Sequence, residues 1–498
     1  MARCIFALIL LAATPAWAAG FFRPGIGVGN LGAGGTGVSG GAAGYSHWYN
    51  PAMLSLTRGT AELTLDWTAL DENFSYTRSR DGLLPSERAS DPATEFDLQQ
   101  NCCGFGGDTT ISDESAPRQI PFLGVAFPVR KDTVIGLAIY GPQAPARLMD
   151  RDGAQRYSAV SNDIILAIAQ ISAAYGQKNW GVGLGLANFD LNVGQDFTLS
   201  GDQRGTENPL FDVLATVKVR DSFIPVANLG FWATPLPGLR LGVSWQRPLK
   251  LKCTGEGANQ ICGHVVADGT VEAELGPGFT EDQNGDPLET PVASITSNDG
   301  GALVMKFPDM LRFGATQRIA TGLELSIEGF YEAWGEIGNL TFVPDNVVFD
   351  AAGSQISLEN IVFPRRWDNT YGVRFGTRWD MPQKWTKIPV QMRLGSQWES
   401  SAAPLVELDT GGLDWEKLGL TIGFGVEVIK GLHVDAFYLK TLTANLTVTD
   451  SNMRTTNIFH ADEVEKGNAG LETVSANGDY VIEHQRFGVG VRYALGVN

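Results

Sequence analysis

The chain has 498 residues, a formal net charge of −18 and a pI ≈ 4.7. That balance argues against nucleic acid as a partner, because gripping a phosphate backbone takes an excess of Lys and Arg. Glycine is abundant, 60 of 498 residues against about 7% on average. The length alone admits either two or three soluble domains or one large barrel.

Residues 1–18 place Arg3 before an apolar run from Ile5 to Ala13 and then Ala16-Trp17-Ala18, the pattern of a signal peptide cleaved before Ala19. A membrane-spanning helix needs about 20 apolar residues, and neither this run nor any later one reaches that length. The mature chain is expected to leave the cytoplasm without helical anchors. Residues 19–58 are glycine-rich and close on Trp48-Tyr49-Asn50-Pro51-Ala52-Met53. So many glycines weaken any ladder and Pro51 removes a donor, so this stretch reads as a compact irregular plug.

Residues 59–498 read as barrel wall. Segments of about 10 to 16 residues alternate apolar with polar or small side chains, the period-2 pattern of a strand with one face in lipid. Leu323, Leu325, Ile327 and Tyr331 oppose Glu324, Ser326, Glu328 and Glu332; Phe487, Val489, Val491 and Tyr493 oppose Arg486, Gly488, Gly490 and Arg492. A soluble sandwich alternates too, and loop lengths decide against it. Tight turns such as Arg130-Lys131-Asp132 and Lys430-Gly431 take turns with long connections near 78–118, 147–156, 188–221, 252–302, 337–367, 401–415 and 450–478. Short turns on one rim and long loops on the other mark an outer-membrane barrel, here of about fourteen antiparallel strands. Gly263–Glu274 has strand character but is assigned to the 252–302 loop, because counting it breaks the rhythm.

Cys253 and Cys262 are positioned to close a disulfide across a small loop, and Cys102-Cys103 either bond to each other or stay apart. The histidines His47, His264, His433, His460 and His484 lack ligand spacing, so no metal site and no cofactor is expected. No Ser-His-Asp arrangement stands out, and no catalytic residue is assigned.

The chain resembles the outer-membrane long-chain fatty-acid transporter (FadL) family, which includes aromatic-hydrocarbon transporters. The resemblance rests on Ala19-Gly20-Phe21, the glycine-rich segment, Asn50-Pro51-Ala52-Met53 and Phe307-Pro308-Asp309-Met310-Leu311-Arg312-Phe313-Gly314-Ala315. It implies a monomeric fourteen-stranded barrel, an amino-terminal hatch in the lumen, ligand capture near the extracellular side and sideways release through a gap in the wall. The family's hatch commonly carries a glycine between the alanine and methionine, which is missing before Met53.

Within that frame, residues 48–53 are the hatch candidates. Gly141-Pro142 is the candidate kink beside a wall gap, because Pro142 cannot donate to a ladder and Gly141 permits a bulge; alternatively the strand simply ends at Tyr140. A fatty-acid carboxylate needs a cation in an apolar pocket. Lys250, Arg312, Arg374, Arg378, Arg393, Arg486 and Arg492 have inward parity, and Lys250 ranks first as nearest the extracellular loops. The expected partners are a hydrophobic small molecule, either fatty acid or hydrocarbon, together with outer-membrane lipid and lipopolysaccharide. A general diffusion porin and an outer-membrane lipid-modifying enzyme are the competing readings; the plug speaks against the first and the missing Ser-His-Asp arrangement against the second, while an adhesive or structural role through the long loops also leaves the plug unexplained.

Overall fold

The computed structural model describes residues 20, 23, 25–57, 59–79, 110–142, 144–201, 209–255, 260–281, 287–288, 293–296, 300–345, 348–351, 354–357, 360–386, 388–455 and 474–495. The signal-peptide reading of residues 1–18 and the state of Cys102 and Cys103 lie outside the described residues.

Fourteen antiparallel strands form the wall. They are β1 (Ala61–Arg78), β2 (Arg118–Pro128), β3 (Thr133–Tyr140), β4 (Ser161–Gly176), β5 (Trp180–Ser200), β6 (Asp212–Leu236) and β7 (Leu239–Pro248). They continue with β8 (Met310–Ala320), β9 (Leu323–Glu332), β10 (Thr370–Asp380), β11 (Val390–Glu399), β12 (Lys417–Ile429), β13 (Leu432–Thr441) and β14 (Gly478–Leu495). Each pairs with the next in chain order. β14 then pairs with β1 from Ala61↔Leu495 to Arg78↔Gly478, which closes the barrel and leaves no free edge on that side.

The alternation has the expected inside-out polarity. Leu325, Ile327 and Tyr331 of β9, and Phe487, Val489 and Val491 of β14, are exposed on the outer face, whereas Glu328, Glu332 and Arg486 are buried inside. Among the described residues no helix is long and apolar enough to cross a membrane. An apolar belt around a closed barrel is the remaining way for a chain to satisfy every backbone group within a bilayer.

The long-loop rim differs from expectation in two places. β5 and β6 run on to Ser200 and from Asp212, so the connection expected near 188–221 is mostly wall extension. The segment assigned to the loop at 263–274 is a strand, Val265–Leu275, which pairs with the outer half of β6. Gly300–Met305, Asn339–Asp345 and Ile361–Pro364 follow it, each paired to the one before. They form a sheet above the wall, so the count of fourteen is unaffected. Cys253 and Cys262 form a disulfide across the hairpin of Lys252–Thr254 and Ile261–Gly263.

Candidate functional site

Residues 25–57 occupy the lumen as short helical turns, including Val28–Leu31, Ser46–Tyr49 and Pro51–Thr57. An irregular backbone carries N–H and C=O groups that no ladder satisfies, and each must find a partner when buried. The wall supplies them. Asp66 of β1 accepts from Val28 N–H (2.8 Å), and Glu328 of β9 accepts from Gly37 (2.9 Å) and Val38 (2.8 Å). Thr421 of β12 accepts from Gly34 N–H (2.9 Å), Ser244 of β7 donates to the Tyr49 carbonyl (2.6 Å), and Gln170 of β4 donates to that of His47 (2.8 Å).

Most of the inward arginines serve the same purpose. Arg312, Arg374, Arg378 and Arg486 donate to the carbonyls of Trp48 (3.3 Å), Gly35 (3.4 Å), Thr36 (2.7 Å) and Gly25 (2.8 Å). Arg393 and Arg492 instead pair with Asp435 at 2.6 and 2.8 Å. Periodicity identifies which arginines face inward, but their partners depend on the fold.

The Asn50 amide donates to the carbonyls of Val38 (2.9 Å) and Phe231 of β6 (3.0 Å), while its Oδ1 accepts from Ala52 N–H (3.1 Å). One side chain thus ties two parts of the inner segment to the wall. Pro51 begins the following turn, where its missing donor costs nothing. Met53 packs with Ala52 against Trp232 of β6, whose indole donates to the Ala52 carbonyl (3.1 Å).

His47 shows how dry this contact is. The Val125 carbonyl can only accept, so Nε2–H donates to it (3.4 Å), and Nδ1 accepts from the Ser172 hydroxyl (3.0 Å). Both contacts suit the neutral ring, and burial pushes its pKa from 6.5 down to about 4. In the released segment the ring titrates near 6.5, so the seated state takes up fewer protons between pH 6.5 and 4. Seating is therefore fully stabilised above pH 6.5 and weakens as pH falls toward 4, by about 3 kcal/mol in total. Amide exchange across residues 25–57 should accelerate over that window in the wild type, and His47→Gln should flatten the dependence. An identical pH profile for both proteins would contradict the assignment.

The wall is interrupted at β3. Its last pairs are Leu123↔Ile139 with β2 and Tyr140↔Ile168 with β4. β2 remains bound to β1 from Asp66↔Phe122 to Leu70↔Arg118, so on its β3 side Arg118–Phe122 loses its ladder partner. The chain regains β4 only at Ala146–Leu148. Between these points, Gly141 lies so close to the Leu166 carbonyl that a Cβ there would be 2.5 Å from its oxygen. Tyr45, Phe122, Tyr140 and Trp48 form an aromatic series behind the interruption, with centroids 5.3, 5.9 and 6.0 Å apart; the first and last pairs meet edge-on and the middle pair is tilted by 34°. An exposed ion pair between Arg118 and Asp163 spans it on the outside.

Trp48 and Pro142, candidates from opposite ends of the sequence reading, meet in one cavity of about 10 Å³ with Leu166, Phe189, Gln246 and Met310. That is room for about one water. Arg312 stacks over Trp48 at 4.5 Å and reaches Gln246 Oε1 (3.4 Å) and Met310 Sδ (3.1 Å), with no ion-pair partner among the described residues. A second cavity of about 40 Å³ lies toward the long-loop rim, lined by Ile164, Leu191, Val193, Phe197, Leu303 and Phe342 among others. Asn162 Oδ1 and Arg365 Nε border it without hydrogen-bond partners. Phe189, Leu191, Val193 and Phe197 alternate along the inner face of β5 and join the two cavities by an apolar track.

Lys250 does not belong to this site. β7 ends at Pro248, and Leu249, Lys250 and Leu251 are all exposed, because inward parity has meaning only within the paired wall. Arg23, Glu72 and Arg147 are functional candidates that the sequence reading missed. Arg23 donates to both Glu72 oxygens (2.7 and 2.6 Å), and Arg147, just beyond the interruption, binds the same carboxylate and Asp113 (3.1 Å). Nothing in strand periodicity links residues so far apart in sequence.

A family model described as "Outer membrane protein transport protein (OMPP1/FadL/TodX)" matches residues 9–480. No curated protein sequence matches. Among solved structures, the chain is similar to a FadL homologue of Pseudomonas aeruginosa, with TM-score 0.68, 16% identity and coverage of 95% of this chain and 99% of that one. It is also similar to the toluene transporter TodX of Pseudomonas putida (TM-score 0.61, 12% identity, 97% and 99% covered) and TbuX of Ralstonia pickettii (0.58, 13%, 94% and 98%). With the closed fourteen-strand wall, its apolar outer face and the match over nearly the whole sequence, the chain belongs to the OMPP1/FadL/TodX family of outer-membrane transport proteins, a family of multi-pass β-barrel channels and not of enzymes.

Proposed function

We propose that this barrel carries hydrophobic small molecules, fatty acids or hydrocarbons, from the extracellular side into the membrane by lateral release at β3, and that residues 25–57 act as the hatch. The observation that carries this reading is the loss of β3 pairing after Tyr140, directly over the cavity shared by Trp48 and Pro142. The ligand is captured under the loop sheet, moves along the apolar inner face of β5 and leaves between β2 and the residues beyond Tyr140. Water-soluble solutes are excluded because the hatch backbone consumes the polar groups of the lumen. That filled lumen is also what disfavours a porin. The toluene-transporting neighbours support an apolar substrate.

Arg312 replaces Lys250 as the proposed partner of a ligand carboxylate, since it is a buried cation beside the cavity with only neutral partners. Uptake of a radiolabelled long-chain fatty acid and of toluene, measured in cells carrying the wild type, Pro142→Val or Arg312→Met, tests both statements. Restoring a donor and a β-branched residue at the kink should lower uptake of both probes at least about tenfold. Arg312→Met should lower only the fatty acid if that is the substrate, leaving toluene unchanged. Full uptake by the kink variant would remove the lateral route.

A further inference from the structure

The cavity of about 40 Å³ toward the long-loop rim is mostly apolar, covered by Leu303 and Phe342 of the loop sheet and by Leu191, Val193 and Phe197 of β5, yet one end of it is polar. Asn162 of β4 lies there at 7% exposure, and its Nδ2 donates to the Gly411 carbonyl (3.0 Å). That bond fixes the amide, because the reversed orientation would set two oxygens against each other. Oδ1 is therefore an acceptor, and it has no hydrogen-bond partner among the described residues. Arg365, at 4% exposure, pairs through Nη1 with Asp409 (2.8 Å), while its Nε–H has no partner among the described residues. The same short stretch of loop touches both side chains: a Cβ at Gly412, next to Gly411, would lie 3.2 Å from Arg365 Cζ. One end of an apolar cavity thus carries a spare acceptor and a spare donor. Its charge is already balanced, since Asp409 neutralises Arg365.

We infer that this end of the cavity recognises a hydroxyl group, so that the ligand it holds best is a neutral phenol or alcohol with an apolar body. Recognition of this kind rests on the capture of ligand under the loop sheet proposed above, and it narrows the substrate class of that site. A hydroxyl both donates and accepts. Its O–H donates to Asn162 Oδ1 and its oxygen accepts from Arg365 Nε–H, while the hydrocarbon part extends along Leu191, Val193 and Phe197 of the β5 track. A pure hydrocarbon leaves both buried atoms unmatched, which costs more than a made hydrogen bond gains. A carboxylate can only accept, so it turns an acceptor toward Asn162 Oδ1 and adds a buried negative charge beside Asp409. A site that must bond a hydroxyl discriminates against the analogue without one, because its own polar groups are then left unpaired.

The test is equilibrium binding to the full-length barrel in detergent, corrected for uptake by protein-free micelles, of toluene, its hydroxyl analogue p-cresol and its carboxylate analogue p-toluate. The wild type should hold p-cresol about tenfold more tightly than toluene, the gain expected of two neutral hydrogen bonds, and p-toluate least tightly. Asn162→Leu removes the acceptor, and Arg365→Lys keeps the charge opposite Asp409 but lacks Nε. Each should bring p-cresol down to the affinity of toluene and leave toluene unchanged. Retained toluene binding and heat-modifiable migration in gel electrophoresis establish that both variants are folded. Equal affinity of the wild type for p-cresol and toluene, or a preference for p-cresol that survives both substitutions, would overturn the inference while leaving capture under the loop sheet intact. Tightest binding of p-toluate would overturn it by making this a carboxylate site. If the wild type bound none of the three, the capture reading would fall and hydroxyl recognition with it.

Discussion

Gly395→Val should release residues 25–57 while leaving the barrel folded, and should make it permeable to small hydrophilic solutes. A Cβ at Gly395 would stand 2.2 Å from the Gly34 nitrogen and 2.5 Å from its Cα. No side chain is available to move aside there, because both contacts are backbone. Gly34 cannot rotate away cheaply either: it sits at φ +70, and its N–H is bonded to Thr421. Overpacking of this kind costs about 1–3 kcal/mol where neighbours adjust, and each lost backbone bond adds about 1 kcal/mol. Gly242 makes a similar approach to the Val38 carbonyl, with a Cβ 2.2 Å from its oxygen. The ladder pairs Gly395↔Gly376 and Gly395↔Thr421 depend on backbone alone, so the wall tolerates the substitution. The measurement is swelling of proteoliposomes in small sugars, alongside protease cleavage within residues 25–57. If neither rises, the seat is not what holds the inner segment.

Glu72→Gln should be the most destabilising conservative change in the lumen. Its carboxylate carries Arg23 on one side and Arg147 on the other, and all three side chains are at most 4% exposed. Removing one partner from a buried ion pair costs about 3–5 kcal/mol, because the remaining charges stay desolvated without compensation. Arg147 retains Asp113, whereas Arg23 keeps the Gly20 and Leu413 carbonyls (3.2 and 3.4 Å), the Trp415 ring and, while Asp414 is a carboxylate, a 3.8 Å approach to it. Burial holds the Asp414 carboxyl up at about 6, so that residual support fades further in mild acid. The consequence is mechanical as well as energetic. Arg23 leads into the inner segment and Arg147 follows the β3 interruption, so one carboxylate fastens both sides of the proposed exit. Glu72→Gln should therefore lower the thermal midpoint and accelerate amide exchange in residues 144–148 together with residues 25–57. Adding Arg23→Met should recover part of the loss by removing the buried guanidinium that loses both of its Glu72 contacts. Strictly additive effects of the two substitutions would mean that the shared carboxylate does not couple the segments.

Much of the architecture could be read before any coordinates. Period-2 alternation assigns an outer and an inner face to β9, β10, β11 and β14 because a strand in lipid has no other way to orient its apolar side chains. Short and long connections supply the strand number and the two rims, and the glycine density of residues 19–58 rules that stretch out of the wall. Asn50, Pro51 and the Gly141-Pro142 break were visible for the same local reason, since amide capping and missing donors act within a few residues of where they occur.

The remainder required chain segments hundreds of residues apart to be brought together. Lys250 has inward parity, yet it is exposed, because alternation carries no information on where pairing stops. The inward arginines could be counted, but whether each meets a carboxylate or a backbone carbonyl depends on what fills the lumen. The wall glycines resembled weak strand positions until Gly34 and Val38 were seen pressed against Gly395 and Gly242. Glu72 had no distinguishing neighbours in sequence, and its place between Arg23 and Arg147 exists only once the barrel closes. Local periodicity thus settled the wall, since it depends on near neighbours and the surrounding lipid. Tertiary contact decided the seat of the inner segment, where β3 stops pairing and what fastens the chain beyond it, since each is a match between surfaces distant along the chain.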